Sequence, residues 1–178
     1  MAGKEIDELF GKLELCDKDK KWFVVYTRVR HEKKVVEQCI KNRISYYLPL
    51  KDSVRRYKYR KIVFRKPLFP GYIFCYCNLD EKRKLKNSPP LTKFLDVIDQ
   101  QSLLHSLKQI HKIKECKGEL IPHKYLTRGR KVRIKHGIFT GIEGRISKRK
   151  GLYRIVLNIN VIKQAVALEV DIKDIELL

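Results

Sequence analysis

Residues 22–27, Trp22-Phe23-Val24-Val25-Tyr26-Thr27, consist of aromatic and β-branched side chains, which favour a buried strand. The next segment, residues 32–42, has a helical apolar period instead. Its apolar positions are Val35, Val36, Cys39 and Ile40. A helix with one apolar face must bury that face, so the spacing predicts a helix packed on a sheet that contains the strand.

The residues up to 116 continue to alternate between strand and helix patterns. Residues 51–66 alternate basic with apolar or aromatic side chains, which predicts a solvent-facing hairpin or extended loop. Residues 100–116 place leucine and isoleucine at a helical period and predict a core helix. The remaining predictions are strands at 44–50, 67–77 and 91–98 and a short helix at 80–87.

The periodicity is lost at residues 118–126, where we place a linker between two domains. Short strands separated by glycines follow, without a helical pattern, and predict a small barrel. Gly137, Gly141 and Gly144 are predicted to serve tight turns with positive φ. The patterns thus give a first domain at 21–117, either α/β or α+β, and an all-β domain at 127–178.

Residues 1–20 form an acidic extension with four basic and six acidic side chains. Its apolar residues Ile6, Leu9, Phe10 and Leu13 would share one face of a helix. The stretch is short and contains Gly11, so a helix and a frayed, flexible tail are equally open.

The chain of 178 residues carries 41 Lys+Arg against 20 Asp+Glu, a net charge of +21. The densest part is residues 51–66, with eight basic side chains and one acidic side chain. Such a density favours contact with nucleic acid over plain solubility. No apolar run approaches a membrane span, and residues 1–8 lack the features of a secretory signal. We therefore expect a cytoplasmic protein whose five cysteines are reduced thiols.

The sequence contains no recognisable catalytic or metal-binding pattern. Its five histidines are scattered, and no phosphate-binding glycine motif is present. Cys75 and Cys77 share one face of a predicted strand, but two thiols without further ligands are better interpreted as core residues. We expect no enzymatic activity, no metal site and no cofactor.

Motifs in both domains resemble those of NusG-type transcription elongation factors. The first-domain motifs are Trp22-Phe23-Val24-Val25-Tyr26-Thr27, Arg30-His31-Glu32-Lys33-Lys34-Val35 and Pro67-Leu68-Phe69-Pro70-Gly71-Tyr72-Ile73-Phe74. The second-domain motifs, Val132-Arg133-Ile134, Gly137-Ile138-Phe139-Thr140-Gly141 and Glu143-Gly144-Arg145-Ile146, resemble the family's KOW motif. The resemblance covers residues 21–178. It implies an α+β fold, with an antiparallel sheet flanked by helices followed by a small all-β, SH3-like KOW barrel.

Within the family, the chain is similar to the specialised paralogues of the UpxY and RfaH kind, and three segments are similar to the UpxY group. They are residues 27–34 and the pair Tyr47-Leu48-Pro49-Leu50 and Pro67-Leu68-Phe69-Pro70. RfaH-type relatives can refold their C-terminal domain into helices. The β-branched and glycine-rich residues 131–170 predict that this chain keeps a permanent barrel.

The resemblance implies that the first domain binds the clamp helices of the largest RNA polymerase subunit. The positions that match this interface are Val24, Tyr26, Phe69, Pro70, Tyr72 and Phe74. Trp22 is interpreted as core, and Phe69 and Tyr72 as partner surface, although a core role for these aromatics stays open.

Basic and aromatic residues beside that interface suit non-template DNA or nascent RNA, because cations neutralise phosphates and tyrosines stack on bases. The candidates are Arg28, Arg30, Lys33, Lys34, Arg55, Arg56, Tyr57, Lys58, Tyr59, Arg60 and Lys61. For residues 51–66 the alternative is a merely solvated hairpin.

In the family, the KOW barrel binds ribosomal protein S10 or the termination factor Rho. The candidate contacts here are Ile138, Phe139, Arg145, Lys148 and Arg149. We expect a monomeric elongation and antitermination regulator that promotes processive transcription and contacts no membrane. The alternative is a KOW-type RNA-binding or ribosome-associated protein.

Overall fold

The chain was analysed as a computed structural model that describes residues 6–56, 58–87 and 91–178. Over these residues the fold is α+β, with three α-helices and antiparallel sheets. Two compact units divide the chain, Met1–Gln100 and Gln101–Leu178. The division falls after the first residue of the helix α3, Gln100–Glu115, which therefore belongs almost entirely to the second unit.

The first unit contains a five-stranded antiparallel sheet and a separate two-stranded ribbon. The strands of the sheet are β1 (Leu9–Phe10), β2 (Lys21–Thr27), β3 (Ser45–Tyr47), β6 (Tyr72–Cys77) and β7 (Leu91–Leu95). Their order is β1-β3-β6-β2-β7, so the predicted strand at 22–27 lies inside the sheet. The ribbon pairs β4 (Leu50–Arg56) with β5 (Lys61–Pro67). Residues 51–66 therefore form the predicted hairpin and not an extended loop.

Two helices complete the first unit, α1 (Glu32–Lys41) and α2 (Leu79–Lys86). Asn78 caps α2 by accepting a hydrogen bond from the backbone N–H of Glu81, whose carboxylate accepts from the backbone N–H of Asn78. One face of α1 enters the core with Val35, Val36 and Cys39. Ile40 is 46% exposed, so its predicted place on the buried face is wrong. It lies in the last turn of the helix, at the border of the apolar stripe.

Residues 6–20 are not helical, which excludes the helix alternative for this segment. Leu9 and Phe10 form the edge strand β1 opposite Tyr47 and Tyr46. A two-residue strand exists only through its partner, because isolated strands this short have no stability of their own. The following residues lie against the sheet, where the indole N–H of Trp22 donates to the carbonyl oxygen of Glu14 at 3.1 Å.

The second unit packs helix α3 with a six-stranded antiparallel sheet. Its strands are β8 (Ile121–His123), β9 (Lys131–Ile134), β10 (Glu143–Arg149), β11 (Leu152–Ile159), β12 (Gln164–Val170) and β13 (Ile175–Leu177). Their order is β13-β9-β10-β11-β12-β8. Residues 118–126, interpreted from the sequence as a linker, thus contribute the edge strand β8. Single 3₁₀ turns at Asn160–Ile162 and Ile172–Asp174 connect the later strands.

The glycines of the second unit have two different structural roles. Gly137 and Gly141 have φ values of +84° and +86°, which confirms the predicted turns with positive φ. Gly144 lies inside β10, and its prediction as a turn glycine is wrong. A Cβ atom there would come within 2.6 Å of the Val156 carbonyl oxygen and of the Ile155 side chain. Gly144 is therefore required by the close approach of β10 to β11.

Candidate functional site

One face of the first sheet carries a row of facing side-chain pairs from β2 and β6. Trp22 lies opposite Tyr76, Val24 opposite Phe74, and Tyr26 opposite Tyr72. The ring centroids are 5.4 Å apart in the first pair and 5.2 Å in the last. Side chains alternate between the faces of a strand, so these residues share the face away from the core that packs on α1.

Exposure changes along this aromatic row. Trp22, Val24 and Phe74 are fully buried, whereas Tyr26 is 38% exposed and Tyr72 is half-buried. In the turn before β6, Pro70 is exposed and Phe69 is only 2% exposed. Three of the six predicted polymerase contacts, Tyr26, Pro70 and Tyr72, therefore form an accessible patch. We call Tyr26, Pro70 and Tyr72 the aromatic patch.

A buried carboxylate holds the turn beside the aromatic patch. Glu32, the first residue of α1, is 2% exposed, and its Oε1 accepts a hydrogen bond from the Gly71 N–H at 2.7 Å. The Gly71 carbonyl accepts from the Thr27 N–H at 2.9 Å. Gly71 has a φ of +83°, and a Cβ atom there would be 3.0 Å from the Thr27 carbonyl oxygen. The turn is thus fixed to both α1 and β2 in a conformation that glycine alone adopts without strain.

The β4–β5 ribbon carries the predicted nucleic-acid residues away from the sheet. Arg55, Arg56, Lys58, Arg60 and Lys61 are all exposed, and Tyr59 is 88% exposed. The Lys58 ammonium lies 5.4 Å from the centre of the Tyr59 ring. Tyr57, the remaining candidate of this segment, lies outside the described residues. The described residues of the ribbon therefore offer a dense row of cations together with the exposed Tyr59 ring.

The structure adds an aromatic residue that the sequence analysis did not select. Phe64 on β5 is half-buried, and two cations lie over its ring. The Arg55 guanidinium is 5.4 Å and the Lys66 ammonium 4.8 Å from the ring centre. The available sequence signal was the position of Phe64 in the basic segment, directly before Arg65 and Lys66. Its pairing with Ser53 places it on the same face as Arg55.

A second basic group lies where β2 leads into α1. Arg28, Arg30, Lys33 and Lys34 are all exposed. Arg30 has a φ of +73°, a value at which a residue other than glycine is uncommon. These predicted nucleic-acid residues are accessible and belong to the same compact unit as the ribbon.

In the second unit, the predicted partner contacts lie in two places, the turn between β9 and β10 and the strand β10. Ile138 is 66% exposed in the turn between Gly137 and Gly141, and Phe139 beside it is half-buried. Arg145 donates to the Gly129 carbonyl oxygen at 2.8 Å, so this guanidinium is partly engaged. Lys148 and Arg149, at the end of β10, are exposed, and the Lys148 ammonium lies 4.9 Å from the centre of the Tyr153 ring.

All five cysteines are free thiols. The Cys39 and Cys75 sulfurs are 3.7 Å apart in the core, and their hydrogen bond, with burial, raises the Cys75 pKa well above its usual value. Burial raises the Cys77 pKa to about 12. No group of three or more histidine, cysteine or acidic residues in the described ranges is suited to hold a metal ion. The buried thiols are therefore core residues.

Within the described part of the chain, no helix has the length and apolar character needed to cross a membrane. The accessible features are an aromatic patch, a basic ribbon and a second unit with exposed apolar and basic side chains. Exposed aromatic and basic side chains of this kind are typical of surfaces that bind protein or nucleic acid.

Residues 20–116 match the family model described as transcription termination factor nusG. The match covers more than half of the chain, and the chain belongs to the NusG family. It is a transcription elongation or antitermination factor of that family and has no enzymatic activity. The match ends one residue before the predicted end of the first domain. The compact units divide earlier, after Gln100, so the domain boundaries at 117 and 126 stay a prediction.

Individual relatives span almost the whole chain. The transcription termination/antitermination protein NusG of Lactococcus lactis is 25% identical over 175 residues, which cover 89% of this chain and 93% of the relative. A solved structure that reports the domain interaction in Thermotoga maritima NusG is 19% identical, with a TM-score of 0.47. The match covers 88% of this chain and 96% of the Thermotoga maritima chain. A chain of an MjSpt4:Spt5 complex is 16% identical, with a TM-score of 0.27. The match covers 88% of this chain and 97% of that chain. The narrower resemblance to the UpxY and RfaH kind stays a prediction.

Proposed function

We propose that this protein binds the clamp helices of the largest RNA polymerase subunit and promotes processive transcription. The observation that carries this proposal is the aromatic patch, in which Tyr26 and Tyr72 stay accessible beside the exposed Pro70. Aromatic side chains that are partly exposed on a rigid surface are the usual anchors of a protein interface. The Glu32–Gly71 hydrogen bond supplies that rigidity at the turn.

The six candidate residues divide into two roles under this proposal. Tyr26, Pro70 and Tyr72 contact the polymerase. Val24, Phe69 and Phe74 are buried and support the patch from within. The rings of Phe69 and Phe74 meet edge to face, with centroids 6.2 Å apart, so Phe69 connects the turn with the sheet.

The basic ribbon would hold the non-template DNA strand or the nascent RNA next to the polymerase. Arginine and lysine neutralise phosphates regardless of sequence, and an exposed ring such as Tyr59 offers a surface on which an unpaired base stacks. Phe64, with Arg55 and Lys66 over its ring, offers a second stacking surface on the same ribbon. Contacts to both polymerase and nucleic acid would restrain the clamp without any bond being made or broken.

The part of the second unit at residues 127–178 is proposed to be the SH3-like KOW barrel of the family. Its sheet order and the turn at 137–141 support this assignment. The exposed Ile138 beside Phe139 is the proposed contact for ribosomal protein S10 or Rho.

A second candidate function is binding of RNA through the second unit. Residues 127–178 hold twelve basic and five acidic side chains, and Lys148 and Arg149 are exposed next to Tyr153. Removal of residues 119–178 separates the two candidates. Residues 1–118 should retain polymerase binding under the first, whereas most RNA affinity should disappear under the second.

Transcription in vitro with the cognate polymerase, across a terminator on a native leader, tests the proposed function. We expect reduced pausing and increased read-through when the protein is present. The same reactions with Tyr26→Ala and Tyr72→Ala together should show neither effect. Unchanged pausing and read-through with the unmodified protein on native leaders would refute the proposal.

The nucleic-acid contact has its own test. Replacing Arg55, Arg56, Lys58, Arg60 and Lys61 by serine should flatten the salt dependence of binding to single-stranded DNA, because fewer counterions are released. A matched control replaces only Arg55, Arg56 and Arg60 by lysine and should keep the slope, since it keeps the charge. A serine variant with the original slope would show that the ribbon charge serves solubility.

A further inference from the structure

The basic ribbon is a sheet of its own, and the contacts described here join it to the first unit at its base. Among the described residues, β4 and β5 pair with each other and with no strand of the five-stranded sheet. Two-stranded ribbons are marginally stable alone, so contacts at the base must set the direction of this one. One such contact joins the flanking residues, since the Leu68 N–H donates to the Pro49 carbonyl at 2.7 Å.

Glu8, in the acidic extension, makes three further contacts at the base. Glu8 Oε2 accepts a hydrogen bond from the Leu50 N–H at 3.2 Å, at the first residue of β4. Glu8 Oε1 accepts from Arg65 Nη2 at 2.5 Å on the facing strand β5. The Glu8 carbonyl oxygen accepts from the Leu48 N–H at 2.7 Å. One residue thus binds the segment before the ribbon and both of its strands.

Glu8 itself is held in place by the strand that follows it. Leu9 and Phe10 pair with Tyr47 and Tyr46, and the Tyr46 hydroxyl donates to the Asp7 carbonyl oxygen at 3.0 Å. The Glu8 side chain is only 15% exposed, so its contacts with Arg65 are less screened than those of a surface ion pair. The Glu8 carboxylate therefore links the sheet edge to both strands of the ribbon, in addition to the contact between Leu68 and Pro49.

We propose that Glu8 is a positioning residue that fixes the direction of the basic ribbon for nucleic-acid binding. The inference rests on the proposed nucleic-acid contact and gives the N-terminal segment a role in it. Without Glu8, the ribbon would pivot about the Pro49–Leu68 contact. Its cations would then have to be ordered when they bind, at a cost in affinity.

The sign of the effect separates positioning from simple electrostatics. Glu8 is a negative charge beside a positively charged surface, so its removal should strengthen binding to a polyanion if charge alone matters. Loss of positioning predicts the reverse. Glu14 provides a matched control, because it lies in the same acidic segment and is exposed. Its carbonyl oxygen makes the contact with Trp22, so changes of its carboxylate leave that contact in place.

The experiment measures binding of a fluorescent dT20 oligonucleotide to the full chain and to four variants. Glu8→Gln and Glu8→Asp should weaken binding by about three- to tenfold, the cost of ordering a freed element. Glu8→Asp is informative because it keeps the charge and shortens the side chain. Glu14→Gln and Glu14→Asp should bind as tightly as the unmodified chain or slightly more tightly.

Backbone ¹⁵N relaxation on the same proteins gives a readout independent of affinity. In the Glu8 variants, amides of the ribbon should gain nanosecond motion while those of the five-stranded sheet do not. Unchanged affinity and unchanged ribbon relaxation in Glu8→Asp would overturn the inference. An unmodified chain that does not bind dT20 would instead refute the proposed nucleic-acid contact, and the relaxation data would then show separately whether Glu8 holds the ribbon.

Discussion

The Glu32 carboxylate accepts a hydrogen bond from the Gly71 N–H at 2.7 Å, and both residues are buried. This contact links the first turn of α1 to the turn that presents Pro70 and Tyr72. A buried carboxylate is costly unless it is paired or hydrogen-bonded, so its presence marks a turn whose position is strongly specified. The basic residues at the start of α1 and the aromatic patch are thereby held in one arrangement.

Replacement of Glu32 by alanine should lower the free energy of unfolding by about 2 kcal/mol, the range for a hydrogen bond to a charged group. The Gly71 N–H would be left buried without its acceptor. Glu37→Ala is the matched control, because Glu37 is exposed on the same helix, and it should change stability by less than about 0.5 kcal/mol. Urea unfolding followed by circular dichroism measures both. Equal effects of the two substitutions would contradict this role of Glu32.

The aromatic patch and its support should respond differently to truncation. Tyr26→Ala and Tyr72→Ala should each weaken polymerase binding by more than about 1 kcal/mol with little change in melting temperature. Phe69→Ala should destabilise the fold by about 3 kcal/mol or more, because the side chain is 2% exposed. Binding titrations and thermal unfolding of the same preparations separate the two effects. A Tyr72 variant that unfolds readily but binds normally would place Tyr72 in the core.

The strongly periodic parts of the fold could be predicted from the sequence, and the contacts between distant segments could not. The strand at 22–27 and helices α1 and α3 follow from local patterns of apolar residues. Strand β1 has only two residues and forms because Tyr46 and Tyr47 pair with it. In the sequence, Glu32 looks like any solvent-facing glutamate at a helix start. Only its partner Gly71, 39 positions away, shows its role.

The same distinction applies to the candidate site. Alternation of cations and aromatic residues predicted the ribbon, because that signal is local. The division of the polymerase candidates into exposed Tyr26 and buried Phe74 depends on what covers each end of the sheet face. The role of Glu8 could not be predicted from the sequence either. It lies in a segment without a clear pattern, and its contacts reach residues 42 and 57 positions away.

Alkaline pH should destabilise the first unit through buried thiols with a raised pKa, among them Cys75 and Cys77. The Cys77 pKa is about 12 in the folded chain against an ordinary value of 9.0, so between these values the unfolded chain loses a proton that the folded chain keeps. The contribution of Cys77 to stability is then fully present below pH 9 and is lost as the pH rises towards 12, by up to about 1.4 kcal/mol per pH unit. Burial also raises the Tyr46 pKa to about 12, which adds to the slope above pH 10.

Cys77→Ala should therefore show a shallower loss of stability between pH 9 and pH 11 than the unmodified chain, whatever its stability at pH 7. Cys16→Ala, at an exposed thiol, is the control and should keep the original slope. Urea midpoints measured across this pH range provide the comparison. Parallel slopes for the Cys77 variant and the unmodified chain would show that this thiol does not titrate as its burial requires.

The six strands of the second unit should persist when residues 1–118, which include α3, are removed. Strands β11 and β12 pair along seven positions, from Tyr153–Val170 to Ile159–Gln164, and β8 pairs with β12 on the other side. The paired residues include Ile155, Val156 and Val166, whose β-branched side chains disfavour helix. Gly144 would add about 1 kcal/mol against a helix interior, and its close contact with Val156 exists only in the sheet.

A fragment of residues 119–178 contains all six strands of this sheet, so it provides the test of that prediction. Its ¹³Cα chemical shifts across 131–170 should indicate strands at the same residues as in the full chain. The circular dichroism of the fragment should be β-rich and should lack the helical signal of the full chain, since α3 is absent from it. Helical shifts across residues 143–170, in the fragment or in the full chain, would show that this sequence refolds and that the sheet is not permanent.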